Sequence, residues 1–297
     1  MHVLVTGATR GLGRAIVEGV VARSSDEDAH VIFLGCRDES AGIALASLLT
    51  LASSLPPSNA ARIIPLVLDV TDPASVTAAA ARVATEMAGE KRLDALVNNA
   101  GVLLEREGCP MADVVEPSLK VNLDGAVAAT DAFLPLLRDG GQIINVSSGA
   151  GTRATGALSD ATRAELEAAD AAALRTTITR LAHEAAANGA PPPGETPVYA
   201  LSKVALNYYT RLVARHAPHL RVNACSPGFC RTDIAGADVT YTREPKDARL
   251  GADVVLKLLF GEIGADATDS FFKECSKPGT PLGEAHSAAE PWAVLVK

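Results

Sequence analysis

Val3-Leu4-Val5-Thr6-Gly7-Ala8-Thr9-Arg10-Gly11-Leu12-Gly13-Arg14-Ala15-Ile16-Val17 is the stretch whose reading decides the fold. A short apolar run gives way to a glycine-rich loop, and a helical pattern opens from that loop. Read as a helix from Leu12 to Val21, the segment puts Leu12, Ile16, Val17 and Val20 on one side. The glycines permit a tight turn, close approach of backbone to a pyrophosphate, and close helix–strand packing. The helix start offers unpaired N–H groups and a positive dipole end to phosphate. The spacing is G-x-x-x-G-x-G rather than G-x-G-x-x-G; a glycine-rich turn alone is weak evidence, and its place directly after a strand makes it stronger. Gly7, Thr9, Arg10, Gly11, Leu12 and Gly13 are therefore candidate dinucleotide contacts.

Outward from this stretch, short aliphatic runs alternate with longer helical patterns. The expected strands are Val3–Val5, Val31–Leu34, Ile63–Leu68, Ala95–Val97, Gln142–Val146, Arg221–Ala224 and Asp269–Phe272. Most are apolar throughout, as parallel strands covered on both faces are. The alternation predicts an α/β fold: a single doubly wound, Rossmann-type domain over 1–297 with a seven-stranded parallel sheet. Two stretches break the rhythm. Ser53–Asn59 carries two prolines and reads as a loop. The region from about 151 to 197 reads as a helical insertion ahead of Tyr199. In it Thr162 and Glu165 suggest a capping box, Leu174, Ile178 and Leu181 form an apolar stripe, and Asn188-Gly189 marks a stop before Pro191-Pro192-Pro193-Gly194. The tail, about 277–297, is expected to wrap the surface or fray.

The bulk numbers narrow the function. A chain of 297 residues, 48% hydrophobic and 21% charged, buries a large core without disulfides. Its net charge of -8 argues against nucleic-acid or anionic-membrane partners. The five cysteines, Cys36, Cys109, Cys225, Cys230 and Cys275, show no C-x-x-C spacing and read as reduced thiols, and no metal site is expected. No signal peptide or membrane-spanning run is read, so a cytoplasmic protein is the expectation.

Three more features carry chemistry. After the second strand stands Cys36-Arg37, where an NAD-binding chain usually offers an acid to the adenosine ribose. Arg37 and Arg10 can bracket a 2′-phosphate, which points to NADP(H); solvated arginines, or Arg37 paired with Asp38 or Glu39, are the plainer alternative. Tyr199-Ala200-Leu201-Ser202-Lys203 puts a phenol and an ammonium on one helix face. A phenol titrates near about 10, and the ammonium and an oxidised nicotinamide would lower that. Tyr199 could then exchange a proton with substrate, although Y-x-x-x-K alone more often marks an amphipathic helix with a snorkelling lysine. In Asn145-Val146-Ser147-Ser148-Gly149, a serine at the carboxyl end of a strand could polarise a carbonyl oxygen, or simply open a loop.

In combination, the glycine motif, Asn98-Asn99-Ala100-Gly101, Asn122, Ser148, Tyr199/Lys203 and Ser226-Pro227-Gly228, in that order, resemble the short-chain dehydrogenase/reductase family to about Phe272. The insertion and Ser226-Pro227-Gly228-Phe229-Cys230-Arg231-Thr232-Asp233 make the chain look most like monomeric NADPH-dependent carbonyl reductases. The resemblance implies that Tyr199 is the acid/base, that Lys203 tunes it and holds the nicotinamide ribose, that Ser148 polarises substrate, and that Asn122 anchors a relay water. It further implies that Asp69 and Val70 face the adenine, that Asn98, Ala100 and Gly101 line the cofactor, and that Pro227, Gly228 and Thr232 close on the nicotinamide. The implied reaction is hydride transfer to a small-molecule ketone, aldehyde or quinone. The implied state is a monomer, the insertion covering the helix face that other members use to associate. Phe229 to Arg249 reads as a lid, with Tyr241 or Trp292 as pocket candidates. Two rivals remain at this point: an epimerase or dehydratase of the extended short-chain group, and a non-catalytic NADPH-binding sensor.

Overall fold

The computed structural model describes residues 1–25, 30–52, 61–88, 93–105, 109–187, 196–235, 244–275 and, as backbone, 287–290. Eight strands form one sheet: β1 (His2–Val5), β2 (Val31–Cys36), β3 (Arg62–Val67), β4 (Leu93–Asn98), β5 (Leu137–Val146), β6 (Arg221–Ser226), β7 (Ser270–Glu274) and β8 (Ser287–Glu290). Their order is β3-β2-β1-β4-β5-β6-β7-β8. The first seven run parallel, and β8 pairs antiparallel with β7, Phe272 opposite Ala289. The seven-stranded parallel sheet is therefore present, and the tail, expected to wrap the surface or fray, adds an edge strand. Ser287-Ala288-Ala289-Glu290 carries little strand signal, since none of its residues is β-branched or aromatic.

Ten helices join the described strands: α1 (Gly11–Ala22), α2 (Glu39–Ala52), α3 (Pro73–Glu86), α4 (Met111–Leu119), α5 (Gly125–Phe133), α6 (Gly149–Ala157), α7 (Asp160–Ala168), α8 (Ala171–Ala187), α9 (Pro197–His216) and α10 (Ala248–Leu259). Successive strand residues point to opposite faces, so β1 feeds two cores. Val3 and Val5 pack with Ile16, Val17 and Val20 of α1, Leu45 and Leu49 of α2, and Val254, Val255 and Leu258 of α10. Leu4 faces the other layer, with Val83 of α3, Val115 of α4, Phe133 of α5 and Val204 of α9. This two-sided burial is why the strands read as apolar throughout.

The insertion is α6, α7 and α8. Leu174 and Ile178 are buried and Leu181 is partly so, as the stripe predicts. The capping box is displaced. Ser159, not Thr162, is the N-cap of α7, its Oγ accepting from Thr162 N at 3.1 Å. Glu165 instead accepts from Thr177 Oγ1 at 2.7 Å, tying α7 to α8. Both positions fit the same S/T-x-x pattern, and the tertiary contact to Thr177 decides between them. The expected stop at Asn188-Gly189, the proline run after it, the Ser53–Asn59 loop, Tyr241 and Trp292 lie outside the described residues.

Candidate active site

Parallel strands share one carboxyl edge. The loops after β1, β4, β5 and β6 therefore open together, and the winding reverses between β1 and β4, the position where such sheets bind ligands. In the loop after β1, Gly7 has φ +63°, a left-handed conformation that suits glycine. At Gly13 an added methyl would lie 2.3 Å from Gly7 O, so only hydrogen fits where α1 meets the loop. Arg10 is the N-cap of α1 in extended conformation with no side-chain cap bond, so the first turn of α1 faces the loop uncapped. The loop after β4 holds this turn in place. Thr6 Oγ1 accepts from Asn99 N at 3.0 Å and Ala100 N at 2.9 Å, while Asn99 Nδ2 donates to Thr6 O at 2.8 Å and Gly7 O at 3.2 Å. The loop after β6 closes on it too, since a methyl at Gly11 would meet Thr232 Cγ2 at 3.3 Å.

The adenosine end is polar and exposed. Asp38 Oδ1 accepts from Ser40 N at 2.9 Å and so caps α2, which commits it to the backbone rather than to Arg37. Arg37 is exposed, and Arg10 Nη1 lies 3.6 Å from Asp233 Oδ2 in a pair two-thirds open to solvent (68% and 66%), weak enough to exchange for a ligand. Asp69 Oδ1 accepts from Thr71 N at 2.9 Å and Thr71 Oγ1 at 2.7 Å. Burial pushes the Asp69 carboxyl up, but these bonds, with Arg37 and Lys120 nearby, hold it below the usual range. Val70 is buried beside it. Asn98 serves differently: its Nδ2 donates to Asn145 Oδ1 at 2.8 Å and Thr130 Oγ1 at 3.1 Å, so its side chain belongs to a buried amide network.

Over the sheet edge lies the reacting cluster. Ser147 and Ser148 part ways as β5 ends. Ser147 is buried and donates to Asn207 Oδ1 at 2.6 Å. Ser148 turns out and caps α6 by accepting from Ala150 N at 3.1 Å, and its hydroxyl is close enough to the Tyr199 phenol to favour the phenolate. Tyr199 and Lys203 sit on one face of α9, with Lys203 Nζ 5.7 Å from the Tyr199 ring centre. The ammonium is buried and donates to Val146 O at 2.9 Å. Asn122 is buried in a π-helical turn, Lys120–Asp124, a widening common at functional sites. Its Oδ1 accepts from Val102 N at 2.8 Å, and its Nδ2 donates to Val102 O and Ser202 Oγ, each at 2.9 Å. A methyl at Gly101 would lie 3.3 Å from Asn122 Oδ1 and 3.6 Å from Lys203 Nζ, so these three positions meet.

A serine, a tyrosine and a lysine thus stand at the carboxyl edge of a parallel sheet, beside a glycine turn built for a dinucleotide. Residues 1–160 match the sequence profile described as short chain dehydrogenase, more than half of the chain. The chain belongs to the short-chain dehydrogenase family. This short-chain dehydrogenase is 32% identical to (+)-neomenthol dehydrogenase of Arabidopsis thaliana over 264 residues, 78% of this chain and 84% of that protein. Its fold superposes on the structure of salutaridine reductase from Papaver somniferum with a TM-score of 0.71 at 24% identity, covering 92% of this chain and 99% of the other. An NADPH-bound carbonyl reductase from chicken fatty liver gives a TM-score of 0.66 at 26% identity, covering 92% and 95%.

The electrostatics of this short-chain dehydrogenase depart from expectation at one point. Two charges are expected to draw the phenol of Tyr199 down, the ammonium of Lys203 and an oxidised nicotinamide, and of these only Lys203 belongs to the chain. Burial instead pushes the phenol up, with Glu105 and Cys230 adding to that and Ser148 opposing it. The reason is geometric: the ammonium is directed at Val146 O, not at the phenol oxygen. Lys203 itself is lowered by burial from 10.5 to about 8, with Cys225 opposing the fall. Between those values the unfolded chain holds the proton more tightly than the folded one. The contribution of Lys203 to the stability of the cofactor-free protein should therefore rise between about pH 8 and 10.5 by about 1 kcal/mol per pH unit, while the raised thiols of Cys225 and Cys230 contribute a fall above pH 9. Thermal unfolding of wild type and Lys203→Met across this window checks it: the stability of the wild type relative to the variant should grow with pH, and a constant difference would remove Lys203 as the cause.

Sequence reading missed three contributors. Asn99, quoted within its motif, ties the glycine turn to β4. Glu105 accepts from Val198 N at 2.8 Å and Tyr199 N at 2.9 Å, bonds that span more than ninety residues. Lys246 and Glu274 form a buried ion pair beneath Gly228, where an added methyl would lie 2.8 Å from Lys246 Nζ. Of the expected lid, the two described ends pair with each other, Arg231 N donating to Lys246 O at 2.8 Å and Lys246 N to Phe229 O at 3.0 Å, and 236–243 lies outside the described residues. Cys36, Cys225 and Cys230 are buried, whereas Cys109 and Cys275 are exposed. No described helix is long and apolar enough to cross a membrane.

Proposed function

We propose that this short-chain dehydrogenase is an NADPH-dependent carbonyl reductase acting on a small ketone, aldehyde or quinone. The observation that carries the reading is the meeting of Ser148 with the Tyr199 phenol, Lys203 Nζ lying 5.7 Å from the phenol ring centre, on the edge that also carries the glycine turn. The residues fit the dinucleotide, since the space at Gly13 admits no side chain and the first turn of α1 is uncapped. Gly7, Thr9, Gly11, Leu12 and Gly13 would cradle its pyrophosphate, Asp69 and Val70 its adenine, Ala100, Gly101 and the backbone of Asn98 its ribose side, and Pro227, Gly228 and Thr232 its nicotinamide end. NADPH, when bound, supplies the hydride that reduces the carbonyl carbon. The chain's own groups manage the oxygen. Ser148 and Tyr199 donate hydrogen bonds to it, Tyr199 gives up the proton, and Lys203 with Asn122 returns one from solvent. A raised phenol keeps Tyr199 protonated, the form that reduction needs. Turnover against a carbonyl panel tests the whole reading. NADPH binding with no turnover of any carbonyl would favour the sensor, and tightly held cofactor recycled within one turnover would favour an epimerase.

Arg10 and Arg37 support NADP over NAD. Charge-assisted bonds are worth roughly 1.5–3 kcal/mol each, so Arg10→Ala or Arg37→Ala alone should weaken NADPH binding about 10- to 100-fold and leave NADH nearly unchanged. Equal loss for both cofactors would remove the 2′-phosphate role.

The monomer is part of the same proposal. Helix α8 packs along α4 and α9, and Arg175 clamps it, Nη2 donating to Glu116 Oε2 at 2.7 Å and Nε to Asp124 Oδ1 at 3.0 Å. Glu167 of α7 meets Arg211 of α9 at 2.6 Å. With that face covered, native mass spectrometry should find single chains, and a tetramer would sink the idea. A cytoplasmic location completes the proposal, supported by the buried thiols.

A further inference from the structure

Helix α9 begins without a cap of its own. Thr196 is its N-cap residue and makes no side-chain cap bond, and Pro197 in the first position has no N–H to give. The next two N–H groups, of Val198 and Tyr199, would stand unpaired at an end packed against the active site. Both are taken by one carboxylate from the loop after β4. Glu105 Oε1 accepts from Val198 N at 2.8 Å, and Oε2 accepts from Tyr199 N at 2.9 Å. From Ala200 onward the helix uses its own carbonyls, beginning with Ala200 N to Thr196 O at 2.8 Å.

We propose that Glu105 is a positioning residue for the carbonyl chemistry: its carboxylate spans the first free N–H groups of α9, fixes the residue that carries the phenol, and sets a negative charge beside it. The inference deepens the reductase reading and rests on it for its kinetic consequences. Both oxygens act only as acceptors, so the helix start selects the ionised carboxylate. The same loop is gripped at Val102 by Asn122 and at Asn99 and Ala100 by Thr6. Glu105 is thus the last of a series of ties that register the loop after β4, the glycine turn and the catalytic helix against one another. The groups facing the phenol are Ser148 at the start of α6, Glu105, Cys230 after β6, and Lys203 one turn along α9. Among the first three, Glu105 is the group whose ionised form holds Tyr199 as the acid; burial pushes its carboxyl up, and the two N–H donors of α9 pull it back.

The test follows Tyr199 directly. Phenolate absorbance of the cofactor-free protein is titrated, and the same curve from the Tyr199→Phe background is subtracted to remove the other tyrosines. In Glu105→Gln the Tyr199 curve should move to lower pH, and in Glu105→Asp, which keeps the charge, it should move less. With a carbonyl that the wild type reduces, kcat of Glu105→Gln should fall roughly 10- to 100-fold, as small misplacements of a reacting group do, while NADPH affinity holds. An unmoved Tyr199 curve in Glu105→Gln overturns the inference whether or not the wild type reduces any carbonyl. A wild type that reduces none sinks the reductase reading instead, and the titration then decides Glu105 alone. Hydrogen exchange of the wild type gives a check free of any variant. First-turn amides usually exchange fast, so protection at Val198 and Tyr199 supports the inference, and fast exchange there overturns it.

Discussion

Tyr199→Phe should lower kcat for carbonyl reduction roughly a hundred- to ten-thousand-fold, the range that a positioned general acid supplies. The substitution removes one oxygen and keeps the ring, so the packing at the start of α9 survives. Ser148 keeps its place, because it is fixed as the cap of α6 independently of the phenol. Lys203 keeps its bond to Val146 O. What disappears is the proton source, together with one of two donors to the developing oxyanion. NADPH affinity should be unchanged within error, since the proposed cradle lies in the glycine turn and the loops after β2, β3, β4 and β6. Rates measured by NADPH absorbance, with binding by fluorescence titration, separate the two effects. A variant with wild-type turnover would remove Tyr199 from the chemistry. A variant that loses turnover and NADPH binding together would mark it as structural. Above neutrality any loss of the wild-type reduction rate should follow Lys203, lowered to about 8, rather than the phenol, which burial raises; a rate that persists to high pH would show that the Lys203 ammonium is not needed to return the proton.

What could be read from the sequence has a common cause. The glycine turn is legible because its residues answer purely local demands: a left-handed φ at Gly7, and a space at Gly13 closed by Gly7 O at 2.3 Å. The Tyr199/Lys203 pair is legible because four-residue spacing fixes a shared helix face. Strand positions are legible because both faces of β1 are buried. The misses are of another kind. Which way Lys203 points depends on a free carbonyl at Val146, and no spacing rule encodes that. Glu105 meets α9 across more than ninety residues, in a loop with no motif. The π-helical turn at Asn122 looks, as sequence, like uninterrupted helix between α4 and α5. Ser159 takes the cap from Thr162 because Glu165 is spent on Thr177 of another helix. Local patterns locate the elements, whereas tertiary polar contacts set their registration, and it is registration that a catalytic site requires.

The strongest of those unread contacts should also carry the largest single stability effect. Lys246 and Glu274 are an ion pair with side chains 4% and 0% exposed. Removing one partner leaves the other charge buried, which costs about 3–5 kcal/mol, whereas replacing both with apolar groups of similar size is often neutral or better. Lys246→Met should therefore lower the denaturant midpoint sharply, and Lys246→Met with Glu274→Met should recover most of the loss. The pair also has a position to defend. Lys246 is bonded through its backbone to Phe229 and Arg231, and its ammonium lies under Gly228, whose φ is +74°. Glu274 ends β7, the last parallel strand. The ion pair thus fastens the segment proposed to close on the nicotinamide to the sheet. If that fastening matters, the double variant should regain stability yet bind NADPH more weakly than wild type, because two methionines fill the space without fixing a direction. Recovery of both properties would reduce the pair to packing. A single variant as stable as wild type would show that the buried charges are not coupled.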